Sequence, residues 1–192
     1  MVGLGNPGDR YAGTRHNVAW RVLDALAGRW HATDHSVAGL YAARRARVAG
    51  DFVELMQPLT FMNLAGEAVE RWVHENEAPP EDLLVVSDDV YLPVGTLRLR
   101  ARGSSGGHRG LGSVEAALGR RDFARLRIGV GAAKSSAELR EHVLDAFSAE
   151  ERPLVDDTVV RAADAVECWV AEGIAAAMNR FNRRAGKEVQ EP

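Results

Sequence analysis

Cys168 is the only cysteine in 192 residues. No intrachain disulfide can therefore form, and its neighbours Val166, Trp169 and Val170 mark it as a buried thiol, so a reducing compartment is the expected setting. No stretch approaches the roughly 18 apolar residues that cross a bilayer. The first residues lack the basic and apolar regions of a secretory leader, and a cytoplasmic protein is expected. Neither an internal repeat nor a low-complexity tract divides the chain, which is expected to form one domain over residues 1–192. Six histidines are present, and His31 and His35 have the i, i+4 separation of some metal sites. No cysteine or carboxylate cluster completes a tetrahedral set around them, so they read as surface histidines, and no metal is expected.

Strong charge of one sign is also missing, since the formal net charge is only −3. That balance hides a local asymmetry. Between Thr96 and Lys134 stand Arg98, Arg100, Arg102, Arg109, Arg120, Arg121, Arg125, Arg127 and Lys134, opposed only by Glu115 and Asp122. A basic segment inside an acidic remainder suits a polyanion-binding face while limiting indiscriminate attraction. The alternative is a solvated strand edge protected by arginines.

Composition is otherwise that of a globular chain, 46% hydrophobic and 27% charged. Strand patterns occur at Met1 to Leu4, Ala38 to Val48, Phe52 to Met56, Leu83 to Ser87, Thr96 to Arg102 and Leu126 to Val130. Helical patterns alternate with them at Arg15 to Trp30, from Phe61 to Val73, at Leu111 to Leu118, through Leu139, Val143 and Phe147, and at Leu154 to Asn179. This alternation, with an apolar LLVV run, predicts a single-domain α/β sandwich: a mixed, mostly parallel, twisted sheet flanked by helices. The first strand is expected to be short and to pair weakly.

Gly3, Gly5 and Gly8 in VGLGNPGDRYAGTRHN have the G-x-G-x-x-G spacing of dinucleotide sites. Such a site needs a helix starting at the glycines and an acid about 20 residues on. Here a polar stretch follows Gly8, helical periodicity begins only at Val18, and Asp24 falls inside that helix, so no dinucleotide cofactor is expected. GSSGG, Gly103 to Gly107, matches the G-x-S-x-G nucleophile elbow and raises a serine hydrolase using Ser105. Elbow strands lie in the buried middle of a parallel sheet, whereas Leu97 and Leu99 alternate with Arg98, Arg100 and Arg102, the pattern of a strand with one wet face. Three polar clusters remain at element ends: Asn6 with His16 and Asn17, Asn63 in TFMN, and Asp88 with Asp89. Asn63 is expected to face away from an apolar stripe that includes Phe61. Each cluster taken alone also fits an ordinary helix start or turn.

The segments VGLGNPGDRYAGTRHNVAW, QPLTFMNLAGEAV, VVSDDVYLPVGTLRLRARGSSGGHRGLGSVEAALG and FARLRIGVG resemble, in order, those of the bacterial peptidyl-tRNA hydrolase family, and EHVLDAFSAEE resembles a later one. The likeness runs to about Glu151, and NPG..Y..TRHN, TFMN and GGH.GL are its specific parts. It implies hydrolysis of the ester joining a peptide to tRNA, with no cofactor, by a monomer. His16 is implied as the general base, Asp88 as the carboxylate orienting it, and Asn6 as a further catalytic residue. Tyr11, Met62, Asn63, His108 and Arg109 are implied contacts of the peptide end, and Arg98, Arg100 and Arg127 of tRNA phosphate. Amide side chains both donate and accept, which suits Asn6 and Asn63 to a peptide backbone and a carbonyl oxygen. The chain departs from the family pattern at Arg109, where asparagine is usual, at Tyr91, where an acid usually precedes LP, and in AAKSSAEL, which lacks the usual prolines. A non-catalytic RNA-binding relative of the same fold is the rival reading.

Overall fold

The computed structural model describes residues 1–37, 39–133, 135 and 137–182. Ala38, Lys134 and Ser136, which belong to patterns noted above, lie outside the described residues. Among the described residues seven strands form one sheet: β1 Val2–Gly3, β2 Thr33–Val37, β3 Tyr41–Val48, β4 Asp51–Pro58, β5 Leu84–Asp89, β6 Leu97–Arg100 and β7 Ala124–Gly129. Their spatial order is β2-β3-β4-β1-β5-β7-β6. The central pairs β4 with β1, β1 with β5 and β5 with β7 are parallel, while β2 with β3, β3 with β4 and β6 with β7 are antiparallel. β5, whose six residues are all buried, lies at the middle of this parallel core, as an uninterrupted apolar run requires.

β1 overturns the expectation of a weakly held strand. It is only two residues long, yet it pairs with β4 on one side and β5 on the other. Leu4 extends the contact by donating its N–H to the Val86 carbonyl at 2.9 Å. A central position satisfies both edges of a short strand, so length alone does not make it loose.

Helices cover both faces. On one side α1 (Val18–Arg29) and α5 (Arg152–Phe181) pack Val22, Leu26, Val159 and Val166 against Leu84, Val86, Leu97 and Leu99. On the other, α2 (Ala65–Glu75) and α3 (Arg109–Leu118) pack Ala68, Val69, Trp72 and Val114 against Val2, Met56 and Val85. α2 and α3 approach closely at Gly66, where a Cβ would lie 2.1 Å from the Ser113 carbonyl oxygen. A short helix, α4 (Leu139–Leu144), stands near the α1 entry.

Three local readings change. The helix after β4 begins at Ala65, because Phe61 is extended and Met62–Leu64 form a 3₁₀ turn. Phe61 is consequently 51% exposed and is no part of the buried stripe. α5 is broken at Gly173 (φ 84°), a left-handed backbone that glycine adopts without a Cβ penalty. The break brings Asn182 onto edge strand β6, where its amide accepts from Leu99 N–H at 2.6 Å and donates to the Leu99 carbonyl at 3.0 Å. Those two bonds occupy the free edge that an outer strand otherwise offers to another chain.

Candidate active site

β1, β4 and β5 are parallel, so the loops leaving their C-terminal ends emerge on one edge of the sheet, the usual place for a ligand in open α/β folds. The first loop carries Asn6 and leads to His16, the second carries Met62 and Asn63, and β5 itself ends in Asp88 and Asp89. The glycine-rich segment after β6 brings His108 to the same place. Together they line a cleft of about 600 Å³ with Tyr11, Arg109 and Phe61. Leu139, Arg140, Val143 and Leu144 of α4 also line it, a contribution the sequence patterns did not signal.

At the floor, Asp88 is 1% exposed and its Oδ1 is 2.7 Å from His16 Nδ1 and 2.8 Å from His108 Nε2. The bond to His108 is the feature that sequence reasoning missed, since the resemblance offered His108 only as a substrate contact. Its protonation follows from the network. His108 Nδ1 accepts the N–H of Leu111 at 3.1 Å, capping α3, so the proton of the neutral ring resides on Nε2 and is donated to Asp88. His16 donates Nδ1–H to the same oxygen, which leaves its Nε2 lone pair for the cleft. Burial by itself pushes the Asp88 carboxyl upward, but the two histidines facing it outweigh burial and hold it well below the ordinary carboxylate range.

His16, Asp88 and His108 each offer a ligand atom, all within 4.8 Å of one another. The tautomer argues against a metal at this cluster. With Nδ1 accepting from a backbone amide, His108 cannot also turn an unprotonated Nε2 toward an ion while neutral. The i, i+4 spacing of His31 and His35 loses its meaning, because α1 ends at Arg29 and His35 belongs to β2.

Asn6 has a narrower role than a free amide. Its Oδ1 accepts from the Met62 N–H at 2.9 Å, so Nδ2 is the group left to donate into the cleft. Asn17 secures it from behind: Oδ1 accepts the Asn6 N–H and Nδ2 donates to the Asn6 carbonyl, each at 2.9 Å. The HN dipeptide therefore serves the site with both residues. The preceding Arg15 is buried, binds Glu151 through both terminal nitrogens at 3.1 and 2.8 Å and lies over the Phe147 ring. His16 is thus clamped between two neighbours tied to different parts of the chain, and such support limits the freedom of its ring to move within the cleft. The glycines of GLGNPG shape this same turn. A Cβ on Gly5 would lie 2.6 Å from the Trp20 indole, and only a single 3₁₀ turn, Asp9–Tyr11, follows Gly8 before the 3₁₀ turn Arg15–Asn17 that leads into α1 at Val18, so among the described residues no α-helix starts at the glycines as a dinucleotide site requires.

Asn63 is exposed and, among the described residues, its amide has no hydrogen-bond partner. Arg109, the first residue of α3, is also exposed and has no ion pair among the described residues. Arg98 and Arg100 project from the wet face of β6, whose burial alternates as expected. Arg127 is occupied differently. It binds Asp89 Oδ2 at 3.0 Å and the carbonyls of Ser104 and Ser105 at 2.8 and 2.9 Å. Any contact with phosphate adds to this task of shaping the GSSGG loop. Gly106 (φ 61°) and Gly107 (φ 83°) let the loop turn tightly over that guanidinium. Ser105 itself has no histidine bonded to its hydroxyl among the described residues, and α3 is capped by His108, so the loop is not a nucleophile elbow.

A family model described as peptidyl-tRNA hydrolase matches residues 1–190. The peptidyl-tRNA hydrolase of Symbiobacterium thermophilum is 46% identical over 189 residues, covering 95% of this chain and 97% of its own. That of Syntrophomonas wolfei is 44% identical over 182 residues, covering 95% and 98%. The crystal structure of the peptidyl-tRNA hydrolase from Acinetobacter baumannii superposes with a TM-score of 0.89 at 33% identity, over 94% of this chain and 92% of that one. With matches of this length joined to a sheet edge that gathers His16, Asp88 and Asn6, the chain belongs to the peptidyl-tRNA hydrolase family.

Proposed function

We propose that the protein hydrolyses the ester between peptide and tRNA in peptidyl-tRNA, with water as nucleophile and His16 as general base. The observation that carries this reading is the carboxylate-bound imidazole, Asp88 to His16 Nδ1 at 2.7 Å, with Nε2 directed to the cleft. In the first step Nε2 takes a proton from water as its oxygen attacks the ester carbonyl, and Asp88 stabilises the imidazolium that forms. Asn6 Nδ2 and the amide of Asn63 donate to the carbonyl oxygen as it becomes negative. Collapse of the tetrahedral intermediate breaks the bond to the ribose oxygen, which receives the proton from His16. Peptide acid and free tRNA leave. Tyr11, Met62 and His108 bound the space for the peptide end, and His108 also holds Asp88. Basic side chains Arg98 and Arg100 position the RNA through phosphate without reading sequence. The reading takes the chain as a single-domain monomer working without metal in the cytoplasm. Among the described residues no helix is long and apolar enough to cross a membrane.

The direct test compares an N-blocked aminoacyl-tRNA with its unblocked counterpart. A site of amides arranged for a peptide bond leaves its partners poorly matched by a free ammonium, so the blocked ester is expected to be hydrolysed at least about 10²-fold faster. Equal rates would remove the amide-reading role, and binding without turnover would favour a non-catalytic RNA-binding relative.

Arg109 supplies a second expectation. A guanidinium at the first turn of α3 has the unfavourable sign for the helix dipole, and its exposure lets it reach phosphate at the cleft rim. Arg109→Asn is expected to weaken tRNA binding by about two- to five-fold and to flatten its salt dependence by about one unit of slope, while the acidic limb of the activity profile stays in place. An upward-moving acidic limb with unchanged affinity would place this cation beside His16 instead.

A further inference from the structure

Tyr91 is 74% exposed, the most open of the large hydrophobic side chains among the described residues. It lines two spaces at once: the catalytic cleft, and a neighbouring groove of about 310 Å³ bounded by Pro93, Thr96, Leu97, Arg98 and Arg100. Its backbone is held firmly. The Tyr91 N–H donates to Asp89 Oδ1 at 2.8 Å, Asp89 Oδ2 is bound by Arg127, and the following turn is tied by Gly131 N–H to the Leu92 carbonyl at 3.1 Å. A rigid turn thus presents an aromatic face to solvent between the reacting centre and two exposed arginines that have no carboxylate partner among the described residues. An aromatic face beside guanidinium groups is the arrangement that binds unpaired nucleotides, through stacking on the base and charge on the backbone. A volume of roughly 300 Å³ is at the small end of ligand sites and admits one nucleotide, not a paired stem. Asn182, which also borders the groove, has both ends of its amide bound to Leu99 and is not free to read a base edge.

We propose that Tyr91 stacks on an unpaired base of the single-stranded 3′ end of the RNA substrate, with Arg98 and Arg100 holding its adjoining phosphates. The inference rests on the function proposed above, and it assigns this exposed side chain a substrate-positioning task. Stacking is sequence-tolerant, which suits an enzyme acting on many tRNAs.

The test uses an RNA hairpin with an unpaired 3′ tail carrying 2-aminopurine, whose fluorescence falls on stacking. Wild type is expected to quench the tail. Tyr91→Ala should lose the quenching and raise Kd by about five-fold or more, whereas Tyr91→Phe stays within about two-fold. The salt slope should be unchanged in Tyr91→Ala and flatter by about one unit in Arg100→Ala, because stacking releases no counterions. A blunt hairpin should not distinguish Tyr91→Ala from wild type. Wild-type affinity and quenching in Tyr91→Ala would overturn the proposal, as would a loss in Tyr91→Phe equal to that in Tyr91→Ala. Hydrolysis of the N-blocked aminoacyl-tRNA by wild type separates the two levels: its absence defeats the functional reading, and its presence with an unchanged Tyr91→Ala defeats the stacking alone.

Discussion

His16→Ala is expected to lower turnover of an N-blocked aminoacyl-tRNA by on the order of 10²- to 10⁴-fold while leaving tRNA affinity intact. The imidazole acts on water at the floor of the cleft, whereas the basic groups assigned to phosphate lie elsewhere, Arg98 and Arg100 in the neighbouring groove and Arg109 exposed at the cleft rim. Loss of the ring also leaves Asp88 with His108 as a partner at 2.8 Å, so the buried carboxylate keeps a donor and the variant is expected to fold. Single-turnover hydrolysis alongside equilibrium binding of uncharged tRNA separates the two effects. Near-normal turnover in a folded variant would remove His16 from the chemistry, and a matching loss of affinity would make it a binding residue.

Asp88→Asn should cost about 10²- to 10³-fold in kcat with little change in KM. Asparagine fills the same volume and can still accept at Oδ1, so the geometry of both histidines is retained; what disappears is the negative charge that supports the imidazolium. A carboxylate whose folded pKa lies below its ordinary value stabilises the fold above about pH 3.9, and that contribution is lost as pH falls through the folded value. The two histidines place Asp88 in this class. The asparagine variant is therefore expected to lose that part of the acid dependence of stability, which denaturant unfolding measured from neutral pH downward would reveal. Retention of full kcat would show that orientation alone, without charge, is what His16 requires. Unaltered acid dependence of unfolding would show that Asp88 titrates normally.

Much of this arrangement was open to reading from local pattern. Period-2 alternation in Leu97 to Arg100 identified a strand with one wet face, and the apolar run at Leu84 to Val86 identified a buried one, because side-chain periodicity is a property of the strand itself. Helices were visible for the same reason, apart from their ends: Phe61 mimics a helical stripe in sequence but precedes the helix, and Gly173 interrupts α5 without disturbing its apolar repeat. Residue chemistry also singled out Asn6, His16, Asn63 and Asp88 at element ends.

The amino-acid sequence by itself determined the α/β class, the basic segment and, through the motif resemblance, the identity of the candidate site residues. Only tertiary structure decided that β1 is central, that α4 lines the cleft and that Asp88 takes two histidines from positions 72 and 20 residues away. It also decided that Asn6 faces the cleft as a donor and that Arg127 serves Asp89 and the glycine-rich loop. The physical reason is one of range. Periodicity states which face of an element is buried, but not against which partner, and the tautomer of a histidine or the free end of an amide is set by hydrogen bonds that exist only after distant loops meet at the edge of a parallel sheet.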